Sequence, residues 1–148
     1  MDKFVVFDAL TFLKAASYDP DEEEPKEYEK AYKALELLKE NCPNRLLFTS
    51  EVEELYQDYL RRFPRSLLES VLTELRGVTK IVGSGNEVRE DLPQLRIRYH
   101  QKFFEEVMHL GANLIIADPE SRWFGNRNLR EALATCGIIL LTPDLYKG

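Results

Sequence analysis

The chain has 148 residues, 44% of them apolar and 31% charged, which is the balance of a soluble globular fold and not of a disordered segment. No apolar run approaches the roughly 20 residues of a membrane span. A formal net charge of −6 argues against a protein that coats nucleic acid without specificity.

The first apolar run, Phe4 to Phe7, has Asp2 and Asp8 at its ends. Acids there are wrong for a secretory signal. Cys42 and Cys136 are too few for a disulfide framework or a zinc site. Both read as packing residues of a reducing cytoplasm, so the expected localisation is cytoplasmic. Phe4–Phe7 itself reads as a short buried parallel strand ending at Asp8. Thr11, Phe12, Leu13 and Ala15 suggest a short helix or turn beneath it. From Tyr18 to Pro25 an acidic loop is expected. Seven acids lie between Asp19 and Glu29 against Lys26 alone. This stretch therefore carries the whole net charge, and basic clusters can exist elsewhere.

Lys26 to Glu40 places Tyr28, Ala31, Tyr32, Leu35 and Leu38 at helical spacing. Arg45–Thr49 is a second strand. Ser50 with Glu53, and Ser66 with Glu69, form capping boxes for two further helices separated by Pro64. Val78–Val82 reads as a strand, and Leu92–Leu110 as largely helical after Pro93. Asn113–Ala117 is the strongest strand and ends at Asp118. Asn126 caps a helix over Arg127–Cys136, Gly137 ends it, and Ile138–Thr142 is a last strand stopped by Pro143. Short apolar strands alternating with amphipathic helices indicate an α/β fold with a parallel sheet.

In an open parallel sheet, ligands collect at the carboxyl ends of the strands. Asp8 and Asp118 each end a strand. Glu54 lies in the first turn of the helix that begins where the Arg45–Thr49 strand ends. Glu53 is already engaged by the capping box, so Glu54 is the better candidate ligand. Oxygen ligands converging on one rim suit Mg²⁺ or Mn²⁺. Gly83–Val88 lacks the third glycine of a dinucleotide fingerprint. No nucleophile elbow accompanies Ser50, His100 or His109.

The segments Val5–Leu13, Phe48–Ser50 with Glu54–Tyr56 and Leu60, Leu110–Asp118, and Gly137–Pro143 follow one another in an order that resembles a PIN-domain protein. That family comprises Mg²⁺/Mn²⁺-dependent nucleases and includes toxin ribonucleases. The resemblance implies one PIN-like domain over residues 1–148, a three-layer α/β/α sandwich with a central, mainly parallel sheet. It implies a divalent-metal-dependent endoribonuclease acting on single-stranded RNA. Asp8 would be the central ligand, with Glu54 and Asp118 orienting ion or water. It also brings an antitoxin-like partner and a homodimer into view. The family usually carries a further aspartate near the start of the helix before the Asn113 strand. Here that position falls at about Tyr99 or His100. His100 shares a helical face with Phe104 and Val107. It is a substitute ligand, a donor to one, or a core histidine, and Asp91 and Glu120 are alternative acids from loops. The missing acid keeps a second reading open, a catalytically impaired module that binds nucleic acid or protein.

Basic residues cluster as Arg61, Arg62 and Arg65, as Arg96 and Arg98 with Lys102, and as Arg122, Arg127 and Arg130. Trp123 and Phe124 stand inside the last group. Arginine beside an exposed aromatic suits single-stranded RNA. Alternatively, Trp123 covers the edge of the core. Repulsion among three carboxylates on one rim predicts that Asp8→Asn leaves folding intact or stabilises it slightly.

Overall fold

Continuous apolar runs too short for helices pair into a parallel sheet, because only a sheet covered on both faces can bury every residue of such a run. A computed structural model of the chain describes residues 4–23, 25–40, 45–49, 79–82 and 100–147. Five strands are present among them: β1 (Phe4–Phe7), β2 (Arg45–Thr49), β3 (Thr79–Val82), β4 (Leu114–Ile116) and β5 (Ile139–Leu141). They lie in the order β3-β2-β1-β4-β5, and every pairing is parallel. The expected strand positions hold, with ends that differ by a residue.

Val5, Val6 and Phe7 are all buried, as are Ile115 and Ile116. Consecutive strand residues point to opposite faces, so both faces of β1 and β4 are covered. The helices among the described residues are α1 (Ala9–Ser17), α2 (Lys26–Glu40), α3 (Gln101–His109) and α4 (Arg127–Thr135). Helix α1 packs on α2, and Phe12 of α1 and Ala34, Leu35 and Leu38 of α2 enter the same core as the strands. Tyr146 follows a 3₁₀ turn at Pro143–Leu145 and is buried in that core. Gly111 and Gly137, after α3 and α4, have φ of 73° and 74°, the left-handed conformation that glycine takes at a helix end at little cost.

The Leu92–Leu110 stretch, expected to be largely helical after Pro93, contains α3 over Gln101–His109, and His100 in front of it is not helical, with φ 62°. A left-handed residue cannot propagate a right-handed helix. His100 stands at the N-cap of α3, and its carbonyl accepts from the Phe104 N–H at 3.2 Å. Residues 92–99 lie outside the described ones. The capping boxes at Ser50 and Ser66 and the Gly83–Asn86 turn do so as well.

The strand order fixes where a ligand would go. From β1 the chain builds outward through β2 and β3, then crosses to the other side of β1 for β4 and β5. The direction reverses between β1 and β4, and the crevice beyond their carboxyl ends is the favoured ligand position of such sheets.

Phe12 is fully buried where α1 meets the sheet. Phe12→Ala should cost about 3–5 kcal/mol of stability, read as a fall in the urea midpoint at unchanged m-value.

Candidate functional site

Register brings the two strand-end acids together. Val5 pairs with Leu114, Val6 with Ile115 and Phe7 with Ile116. The Asp8 N–H continues the ladder by donating to the Ile116 carbonyl at 2.9 Å. Asp118 lies two residues past β4, and its N–H donates to Asp8 Oδ2 at 3.2 Å. Asp8 Oδ1 accepts from the Thr11 N–H at 2.8 Å, which makes Asp8 the N-cap of α1. One carboxylate thus caps a helix and holds the loop after β4. Asp118 Oδ1 accepts from the Glu120 N–H at 3.0 Å, and its carbonyl accepts from the Ser121 N–H at 2.8 Å.

A lysine completes the group. Lys14 Nζ donates to Asp118 Oδ2 at 2.6 Å and to Glu27 Oε2 at 2.9 Å, and lies 5.9 Å from the centre of the Tyr28 ring. Lys14 is 7% exposed, Asp8 6% and Asp118 2%. Burial works against the ammonium, but its hydrogen bonds to Asp118 and Glu27 outweigh that and raise its pKa. Removing either partner of such a buried pair costs about 3–5 kcal/mol, because the other charge is stranded.

Asp8 has no ammonium on it among the described residues. Burial pushes its carboxyl up from 3.8 to about 6. The Thr11 side chain and the N–H groups of Thr11 and Asp118 hold it down, and the Asp118 charge adds a little to the rise. The Thr11 hydroxyl lies close enough to act on Asp8, yet Oγ1 is buried and makes no well-formed hydrogen bond.

Two of the three expected acids, Asp8 and Asp118, therefore meet directly. Glu54 lies outside the described residues, as do Asp91, Arg61, Arg62, Arg65, Arg96 and Arg98. Glu120 is exposed and contributes its main-chain N–H. The His100 ring stands edge-on to Trp123 with centroids 6.2 Å apart. Trp123 stacks on Phe103 at 5.5 Å and meets Phe104 edge-on at 4.8 Å. It is half-buried against the core, so the core-edge reading describes its position. Arg122, Arg127 and Arg130 are exposed, and Arg127 pairs with Glu131 at 3.0 Å. Among the described residues no three His, Cys, Asp or Glu side chains gather as a metal-holding group.

Lys14 and Glu27 were not singled out in the sequence, although a signal existed. Six of the nine residues of α1 are buried, Lys14 among them, and a lysine in so apolar a helix needs a buried partner. Glu27 is hidden within the acidic run, which reads as uniformly solvated.

No family model matches the chain, and neither curated proteins nor solved structures give a match.

Below pH ~4 Asp8 is protonated in both the folded and the unfolded chain. Between there and about 6 only the folded chain holds the proton. The stability contribution of this group is therefore full at low pH and is lost as pH rises through about 6, a swing of roughly 3 kcal/mol. An asparagine at this position keeps one acceptor oxygen for two buried N–H donors, at a cost of about 1–3 kcal/mol, but it never carries the buried charge. Asp8→Asn should be less stable than wild type at pH 4.5 and at least as stable at pH 7.5. Urea denaturation at the two pH values checks this, and a pH-independent difference would exclude a raised Asp8 pKa.

Proposed function

We propose that the chain is a divalent-metal-dependent ribonuclease of PIN type, a three-layer α/β/α sandwich that hydrolyses single-stranded RNA in the cytoplasm. The observation that carries the reading is the meeting of Asp8 and Asp118 at the crevice between β1 and β4. The donor chemistry fits a hard cation. The group offers two carboxylates, and in Asp8 one whose charge lacks a cationic partner among the described residues. Asp8 and Asp118 would hold the ion, with Glu54 as the third acid implied by the resemblance. When bound, Mg²⁺ or Mn²⁺ supplies charge neutralisation at phosphate oxygens and a water of lowered pKa.

The residues of the chain do the rest. Asp8 ties the start of α1 to the loop after β4, so that loop cannot drift from the rim. Lys14 fixes the direction of the Asp118 carboxylate. The Asp118 carbonyl accepts from Ser121, whose hydroxyl accepts from the Trp123 N–H at 3.2 Å. This turn leads from the acids to the exposed Arg122 and to Trp123. The covering of both faces of β1 and β4 supports the layered architecture. No helix among the described residues is long and apolar enough to cross a membrane.

One observation favours the second reading, a module that binds RNA or protein without cleaving it. His100 stands where the resemblance expects an acid, and its ring packs on Trp123.

Calorimetry with MnCl₂ and a cleavage assay on a single-stranded RNA test the reading. Wild type should bind the ion at millimolar concentrations and cleave. Asp118→Asn should lower cleavage more than about 100-fold, beyond the loss typical of an outer partner of a metal site. Binding without cleavage would favour the second reading, and no binding would remove the nuclease.

A further inference from the structure

Strand β5 ends the sheet on the β4 side, and nothing among the described residues pairs with its outer edge. Ile139 donates its N–H to the Asn113 carbonyl at 3.0 Å, and the Leu141 carbonyl accepts from the Ala117 N–H at 2.9 Å. These two residues face β4. A parallel strand bonds each neighbour through alternate residues, so Leu140 turns its N–H and carbonyl away from the sheet. In a trans peptide the carbonyl points opposite to the following N–H. The Ile138 carbonyl and the Thr142 N–H therefore point away from β4 as well. The Ile138 N–H is taken by the Leu133 carbonyl at 2.9 Å, and the Thr142 carbonyl by the Leu145 N–H at 3.1 Å. Two donors and two acceptors are left along one line, without a partner among the described residues. We propose that this edge takes up an extended, acidic peptide segment of a partner protein, which adds a further strand beside β5. The proposal does not depend on the nuclease reading.

The side chains around the edge indicate what the segment carries. An open groove of about 760 Å³ lies along α4 and β5, lined by Leu133, Ala134, Ile139 and Leu140 together with Arg127 and Arg130. Ile139 is 56% exposed. Strand β5 contains neither a charged residue nor a proline, the usual guards of a strand edge. An unguarded aliphatic edge fits the apolar side chains of an added strand. Arg127 pairs with Glu131 at 3.0 Å, but the exposed Arg130 guanidinium meets no acid among the described residues. A carboxylate on the incoming segment gives it a planar, two-bonded partner. Among the described residues no aromatic ring lines the groove, so it lacks the stacking surface on which single-stranded RNA is held. The backbone groups thus select an extended chain, and Arg130 selects an acidic one.

Fluorescence polarisation of a labelled synthetic peptide with the full chain tests this. The probe alternates valine with glutamate, so an extended form presents carboxylates on one face and apolar chains on the other. It should bind, and a peptide with lysine in place of each glutamate should bind at least about 10-fold more weakly. Arg130→Glu changes an exposed side chain and should fold. It should weaken the glutamate peptide about 10-fold or more, because a like charge then faces the carboxylates. Strand addition has a second signature that needs no protein variant. Methylating alternate peptide nitrogens removes either the N–H groups that face β5 or those that face away from it. One methylated set should abolish binding and the other should leave it intact. Absence of binding, equal binding of the lysine peptide, unchanged affinity in Arg130→Glu, or equal effects of the two methylated sets would each overturn the proposal. Oligouridylate bound in place of the peptide and lost in Arg130→Glu would assign the groove to RNA. A wild-type dimer that Arg130→Glu dissociates, with no peptide bound, would assign the edge to a second copy. Either result also overturns the proposal.

Discussion

Asp8 and Asp118 are 110 residues apart and touch only because β1 and β4 run the same way in fixed register. An antiparallel β4 would carry Asp118 to the opposite edge of the sheet. A slip of one residue would turn each of its side chains to the other face. Apolar burial enforces the register, since both strands lack a solvent-facing side and every misalignment exposes part of a core residue. The same pairing reaches back to the amino ends of the strands. There the Asn113 side chain accepts from the Phe4 N–H at 2.8 Å, while its own N–H donates to the Phe4 carbonyl at 2.8 Å.

That geometry has an energetic cost. Three ionisable side chains, Asp8, Lys14 and Asp118, are placed where water is nearly absent. Lys14 and Asp118 offset their desolvation by pairing, and Asp8 has no cationic partner among the described residues. Burial, more than mutual repulsion between acids, therefore dominates the state of Asp8. A pair of apolar residues in place of Lys14 and Asp118 would often be no less stable. The ion pair is accordingly weak as an argument for stability. It is stronger as an argument for a defined direction of the Asp118 carboxylate.

Much of the fold could be read from the sequence because apolar runs and caps are local signals. The strand at Phe4–Phe7, the helix at Lys26–Glu40 and the helix capped by Asn126 needed only propensity, periodicity and a cap. The pairing of Asp8 with Asp118 was readable as well, since both acids close apolar runs that a parallel sheet aligns. The apolar helix around Lys14 signals that it needs a buried partner, but not which one, because a hydrogen bond that spans 104 residues leaves no mark on spacing. The break at His100 escaped for a different reason. Phe103, Phe104, Val107 and Met108 continue a helical pattern whose upstream limit depends on one backbone angle, and histidine does not announce a left-handed conformation as glycine does. Glu27 was lost among neighbouring acids that are identical in type but differ in what lies opposite them.

The wide sequence separation of these contacts also orders events during chain growth. Strand β1, α1, α2 and β2 are made before β4, and the bond from Lys14 to Glu27 spans only 13 residues, so the α1–α2 pair can close early. Until Leu114–Ile116 has been made, the β4 side of β1 is an unpaired edge, and an apolar edge is a template for foreign strands. Asp8 meanwhile has Thr11 but no Asp118, and Lys14 has Glu27 alone. Arrival of β4 closes that edge and completes the charged group in one step, so the group depends on a long-range pairing.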